Sequence, residues 1–422
     1  MPRPTNILLA SALLALTAMR APAQTLAPDY VFAHGLSNSC ETFFGSNGTN
    51  GVCTTADPST LVARIKSGAN AAVNVSGRTI ETKAIGVADQ AQQLAQDLVS
   101  ERPKIIVGHS QGVIRSRYAL QVLKGQTRGV RGLISISGPN GGAPIVTNAP
   151  AFARRVLSDL TTSGLLQVAV NAQPAYNTMA SIANALREKS LPFFYDAINS
   201  PQNAFDAIMR AANVNITDPG FTDLAPGSAL LTQLSNQSCR WTFNLGTTNQ
   251  FTYICSPTDG PKLDASVAVA SIRGKNNLLF GGLLNADKKP LLDTANAAIR
   301  AYSYTMQAPC RLSFNLYRAA CDSMEATWRL LSVTENVEQA FERDIIGAEG
   351  ASAGDGVVPL WSQSVHGSSP YIGGTPVTSP DGTQNFDIDS ASHGGENAIL
   401  GKIDTFYKVR QIQEAMGMTV SR

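Results

Sequence analysis

Few residues of this 422-residue chain have types and spacing that could do chemistry, and one group of them fits only a narrow range of reactions. Gly108-His109-Ser110-Gln111-Gly112 has the form G-x-S-x-G. In that form a serine sits on a sharp strand-to-helix turn with its Oγ exposed, and the flanking glycines avoid side-chain collisions. The chemistry is nucleophilic acyl transfer. A serine hydroxyl needs a base, usually histidine, and an acid that holds the histidine in the right tautomer and stabilises its charged form. The pentapeptide alone is a weak signal, because Gly350-Ala351-Ser352-Ala353-Gly354 matches it as well. Context separates the two. Ser110 follows an apolar run and opens a segment of helical periodicity, whereas Ser352 runs into Gly354-Asp355-Gly356 and reads as a flexible loop.

The base comes from four histidines, His34, His109, His366 and His393. His109 adjoins the nucleophile and is expected to point away from it, and His34 closes the first strand pattern. The chain order that accompanies a G-x-S-x-G elbow is serine, acid, histidine, which leaves His366 and His393. His393, in Ser392-His393-Gly394-Gly395, is the favoured base, since His366 follows the best acid by only 11 residues. That acid is Asp355, on the glycine-flanked turn Asp355-Gly356-Val357-Val358-Pro359, with Asp381, Asp387 and Asp389 as rivals. A tetrahedral oxyanion needs two backbone N–H donors. Gln111, directly after the nucleophile, is one candidate. Leu36, in the His34-Gly35-Leu36 loop, is the other.

These residues must be positioned by strands and helices, and the pattern supplies them. Residues 29–33 and 104–108 read as buried strands, 59–67 as a short helix, and 87–99 as an amphipathic helix. Residues 111–124 read as a helix ended by Gly125, and 130–137 as another strand. Strand–helix–strand at this spacing is a βαβ unit, which implies a parallel sheet. Residues 37–58 read as a loop. Residues 150–235 are alanine-rich and mostly helical, 239–255 form a hairpin, 267–272 return to the sheet, 287–345 are helical, and core-like sequence resumes at Val357-Val358.

Together these residues resemble the bacterial triacylglycerol lipase family of α/β-hydrolases. Four segments carry the likeness: 31–36, 106–112, Ser137-Gly138-Pro139-Asn140-Gly141-Gly142, and 355–359 with Ser362-Gln363 after it. The likeness covers residues 29–145 and, more loosely, 355–400, but not 150–260. It implies an α/β-hydrolase fold, a mostly parallel sheet flanked by helices, with large helical cap or lid insertions at about 150–260 and 287–345. Carried over by position, it makes Ser110, Asp355 and His393 a triad and Leu36 and Gln111 the oxyanion hole. Family members often have a leucine and an acidic residue after the histidine and calcium nearby. Here Gly394 and Gly395 follow, so no cofactor or metal is required and calcium is doubtful, Asp387 and Asp389 reading as solvated loop residues.

The whole chain bounds the setting. Arg3, an apolar run from Ile7 to Met19 and Ala21-Pro22-Ala23 make residues 1–23 a signal peptide, too short to span a bilayer. Residues 24–422 are then a single domain with insertions, secreted or periplasmic, with no transmembrane segment after cleavage. Removing Arg3 and Arg20 leaves 31 basic residues against 31 acidic ones, which argues against a nucleic-acid partner. Export also suits six cysteines in three close pairs, 40–53, 239–255 and 310–321, as disulfides. Only 15% of residues are charged, and the apolar insertions suit an acyl ester or lipid substrate and transient contact with a lipid interface. The expected activity is a secreted lipase or carboxylesterase. An acyltransferase with the same triad, or a non-catalytic binding protein that kept the fold, are the other classes.

Overall fold

A computed structural model gives the architecture and describes residues 28–162 and 217–417, apart from short internal stretches of which 278–292 is the longest. The expected signal peptide, much of the first insertion, His366 and Asp381 lie outside the described residues.

The strands are β1 (Asp29–Ala33), β2 (Val52–Cys53), β3 (Val75–Arg78), β4 (Lys104–His109), β5 (Val130–Ile136), β6 (Gln237–Phe243), β7 (Phe251–Pro257), β8 (Leu263–Gly274), β9 (Gly373–Pro376) and β10 (Asn385–Ile388). Among the described residues one sheet runs β10-β8-β5-β4-β1-β3-β2, with β9 also paired to β8. All its pairings are parallel except β2 with β3. The sequence of β4, Lys-Ile-Ile-Val-Gly-His, explains its central place. Every residue of it is buried, as a parallel strand covered on both faces requires.

The period of two distributes side chains between the faces. Tyr30, Phe32, Ile105, Val107, Ile134 and Ile136 enter one core. Val31, Ala33, Ile106 and Leu133 enter the other. The helices that follow are α1 (Glu41–Phe44), α2 (Leu61–Gly68), α3 (Val87–Gln96), α4 (Gln111–Gln121), α5 (Ile145–Thr162), α6 (Pro219–Thr222), α7 (Ala229–Ser235), α8 (Arg318–Glu335), α9 (Leu360–Gln363) and α10 (Ile403–Ala415). Leu61, Val62 and Ile65 of α2 join Val409 and Ile412 of α10 on the first face. Ala91 and Leu94 of α3 join Ala119 and Leu120 of α4 on the second.

Parts of the sequence reading are corrected. Residues 37–58 are not a plain loop, because α1 and β2 form within them, tied by the Cys40–Cys53 disulfide. Strand β3 was not anticipated. Its Val-Ser-Gly-Arg has little apolar signal, and it is a strand because β1 pairs along it. Helix α4 ends at Gln121, and Gly125 sits inside a 3₁₀ turn at Lys124–Gln126 rather than capping the helix. Val357 and Val358 lie in a bend held by the Gly354–Pro359 bridge, and Val358 is buried there as the core-like sequence implies.

Strands β6 and β7 form the expected antiparallel hairpin, with Cys239 opposite Cys255 in the backbone register. Cys310–Cys321 is a disulfide. Helix α8 packs on α5, joined by Arg329 to Asp159 at 3.0 Å. Arg155 of α5 reaches Asp344, on a π-helical turn at Glu342–Ile346, at 2.9 Å. Among the described residues no helix is long and apolar enough to cross a membrane.

Candidate active site

The carboxyl ends of the parallel strands bring together residues that are far apart in the chain, as open α/β sheets do with their functional groups. Ser110 sits between β4 and α4 with φ 55° and ψ −130°, a positive φ that a non-glycine residue adopts only when its surroundings impose it. The flanking glycines make the turn possible. A Cβ on Gly112 would lie 2.0 Å from the Ala33 carbonyl oxygen, and one on Gly108 would lie 2.9 Å from Val113 Cα.

His393 follows β10, and its Nε2 lies 2.9 Å from Ser110 Oγ. Its Nδ1 lies 2.9 Å from Asp355 Oδ2. A carboxylate only accepts, so Nδ1 carries the proton and Nε2 is left to accept from the serine hydroxyl. Asp355 is fully buried, and its other oxygen accepts from the backbone N–H of Val358 at 2.8 Å and of Val357 at 3.1 Å. Its carbonyl accepts from His393 N at 2.8 Å, which fixes the histidine loop to the acid turn. Gln363 of α9 braces that turn against β8. Its Nε2 donates to the carbonyls of Val358 and Gly274, and its Oε1 accepts from Gly274 N.

The His34-Gly35-Leu36 loop leaves β1 directly beside the serine. A Cβ on Gly35 would stand 2.9 Å from Ser110 Cβ and 3.3 Å from its Oγ, so only glycine lets the backbone approach this closely. Leu36 is half-buried and packs against the apolar cluster around Ile114 and Phe221. Gln111 opens α4, where the first backbone N–H groups have no intrahelical acceptor and the helix dipole favours negative charge. Its buried side chain donates to the carbonyls of Thr82 at 3.1 Å and Gly220 at 2.7 Å.

The remaining candidates are placed elsewhere. Ser352 is exposed on a turn. Asp387 is paired with Arg273 at 2.7 Å and Asp389 with Lys275 at 2.8 Å, while His393 Nδ1 is bound to Asp355. Among the described residues no group of three or more histidine, cysteine, aspartate or glutamate side chains converges as metal ligands would. His109 does not simply turn away from the site. Its buried ring lies 4.9 Å from that of His393, and the Phe43 ring stands edge-on to it at 6.5 Å. Burial, reinforced by the neighbouring His393, pushes its pKa well below the ordinary histidine range. His34 is also buried and neutral. Burial and then the charge of Arg115 lower its pKa to about 3.

Sequence reasoning missed two residues beneath the site, Arg115 and Arg117 of α4, both fully buried. Arginines at such spacing in a helix read as a solvated face, and no local pattern marks them otherwise.

Known proteins give several likenesses. A family model described as palmitoyl protein thioesterase matches residues 29–202, less than half of the chain. No curated protein sequence matches the chain. Among solved structures, phospholipase PlaB from Legionella pneumophila is 12% identical, with 93% of this chain and 62% of that chain covered and a TM-score of 0.40. The chain therefore spans less than two thirds of that phospholipase's length. The Vlm2 thioesterase domain is 12% identical, with 92% of each chain covered and a TM-score of 0.29. A thioesterase domain from the curacin biosynthetic pathway is 12% identical, covering 74% of this chain and 92% of that one, with a TM-score of 0.26. The narrower likeness to triacylglycerol lipases is not singled out by these matches. The mostly parallel sheet flanked by helices and the strained turn at Ser110 give this chain the α/β-hydrolase fold.

Proposed function

We propose that the chain is an exported serine hydrolase that cleaves acyl esters, a lipase or carboxylesterase working through an acyl-serine intermediate. The observation that carries this reading is the unbroken hydrogen-bond chain from Ser110 through His393 to Asp355, 2.9 Å at each step. In the proposed reaction His393 Nε2 takes the Ser110 hydroxyl proton as Oγ attacks the ester carbonyl carbon. The carbonyl π electrons move onto oxygen, and the N–H groups of Leu36 and Gln111 bind that oxyanion. Collapse expels the leaving group, which takes the proton from His393. Water then repeats the sequence on the acyl-serine and frees the acid. Asp355 keeps Nδ1 protonated and stabilises the imidazolium without taking its proton.

A second reading is favoured by the family match over residues 29–202. The same machinery would open acyl thioesters, expelling a thiolate instead of an alkoxide. Purified mature chain should be assayed on p-nitrophenyl esters from acetate to palmitate and on acyl thioesters of matched length, beside Ser110→Ala. Ester turnover lost by about 10⁴-fold or more in the variant supports the first reading. Preference for thioesters over matched esters supports the second. Equal activity of wild type and variant would reject both, and diversion of the acyl group to an added alcohol would mark an acyltransferase.

A further inference from the structure

We propose that Arg115 is a positioning residue for the oxyanion-binding loop, holding the His34 carbonyl so that the Leu36 N–H stays aimed at the space beside Ser110 Oγ. This inference rests on the serine-hydrolase reading above.

Arg115 is fully buried and forms no ion pair among the described residues. Burying a guanidinium without a carboxylate is costly, and the cost is offset only by hydrogen bonds of good geometry. Burial draws its pKa down to about 9, so it stays charged at neutral pH. Both acceptors are neutral. One Nη donates to His34 O at 3.0 Å, and the other to Gln90 Oε1 at 3.2 Å. Such charge-assisted bonds are stronger than neutral ones, and the planar fork sets the two acceptors at a fixed separation.

The bonds form a circuit around the loop. His34 Nδ1 donates to Gly35 O at 2.9 Å, while its Nε2 accepts from Ile80 N at 3.0 Å. Ser37 N donates to Thr82 Oγ1 at 2.9 Å. The bonded groups thus flank Leu36 on both sides. Thr82 O in turn accepts from Gln90 Nε2 at 3.2 Å and from Gln111 Nε2 at 3.1 Å. The circuit therefore runs from Arg115 through Gln90 and Thr82 to Gln111, the residue that supplies the second oxyanion donor. Two donors on different segments are held in register by one buried cation. Misplacement of such donors by about 1 Å is enough to cost on the order of 10²-fold in rate.

Arg117 provides the contrast within the same helix. It is equally buried, and burial likewise lowers its pKa to about 9. Its acceptors are Asn140 O at 2.9 Å, Leu234 O at 2.7 Å and Gln121 Oε1 at 3.2 Å. These belong to the turn after β5, to α7 and to α4 itself, none of them the oxyanion loop.

The test uses the full mature chain as wild type, Arg115→Gln, Arg115→Lys and Arg117→Lys. Each is measured for kcat and KM on p-nitrophenyl butyrate, for inhibition by an alkylboronic acid that forms a tetrahedral adduct on Ser110, and for thermal melting. Active sites are counted by fluorophosphonate labelling of Ser110. Arg115→Gln should lower kcat per labelled site by about 10- to 100-fold with KM within about threefold, and weaken the boronate by a similar factor. Arg115→Lys should fall between, since a lysine keeps the charge but cannot bridge both acceptors, and it decides the matter if the glutamine variant does not fold. Arg117→Lys should melt earlier with kcat per labelled site within about twofold. Wild-type kcat and boronate affinity in folded Arg115 variants would overturn the proposal. So would losses that only follow melting temperature, equal at Arg115 and Arg117. If wild type itself turns over neither ester nor thioester and takes no phosphonate, the serine-hydrolase reading fails, and this inference with it.

Discussion

At the scale of single residues the site is built from backbone strain and close approach as much as from functional groups. Ser110 holds φ 55° because strand β4, helix α4 and the Gly35 backbone leave no other arrangement. Gly35 is therefore as exacting a position as the serine. A methyl group there meets Ser110 Cβ at 2.9 Å, and both backbones are too tightly packed to yield it room freely. Gly35→Ala is expected to lower kcat by about 10²-fold, the effect of displacing one oxyanion donor. Its stability should fall by no more than about 1–3 kcal/mol. Steady-state kinetics beside a urea titration would check this, and unchanged kcat in a folded variant would show that the loop does not serve the oxyanion.

At the scale of elements, α1 shows how a peripheral segment reaches the site. Four residues do not make a helix stable by themselves. The Cys40–Cys53 disulfide anchors α1 to β2, and Phe43 and Phe44 are buried against Phe32 of β1. From there Phe43 meets His109, and His109 meets His393. Replacing both cysteines by serine should lower the unfolding free energy by about 3 kcal/mol, as expected for a loop of this length. The denaturant midpoint would report it. If α1 supports His109 as the packing indicates, the variant should also lose activity at a denaturant concentration below its unfolding midpoint, and coincidence of the two transitions would reject that coupling.

At the scale of the whole molecule, two buried neutral histidines make the fold acid-sensitive. His34 has its pKa lowered to about 3 and His109 is also displaced downward, both by burial first. In the unfolded chain each binds a proton near the ordinary histidine value, so below that pH the unfolded state holds more protons than the native one. Their contribution is therefore fully present above about pH 6.5 and is lost as pH falls toward the native values. Asp159 and Asp223, whose pKa values burial raises, act in the opposite sense. Between pH 7.5 and 5 the urea midpoint should drop, and His34→Gln, which keeps a donor and an acceptor, should flatten the slope. A slope unchanged in the variant would mean that His34 does not titrate with unfolding.

By itself the sequence determined whatever depends on neighbours along the chain. The apolar run of β4, the glycine-flanked turn at Ser110 and the helical period of α4 are local, so the strained serine turn and the parallel sheet were legible. Pairing the cysteines by proximity was legible for the same reason at 40–53 and 310–321. Only the tertiary structure brings the favoured histidine and aspartate beside the serine. The glycine-flanked turn favours Asp355 and chain order favours His393, but packing alone sets His393 Nε2 against Ser110 Oγ across 283 residues and gives Asp387 to Arg273. Tertiary contacts also made β3 a strand, through pairing with β1, and pressed His109 against His393. They buried Arg115 and Arg117, which helical spacing alone would leave in water. The reason is physical. Local propensity sets which element forms, but burial and hydrogen-bond partners are set by segments distant in the chain, and those partners decide what a charged or titratable side chain can do.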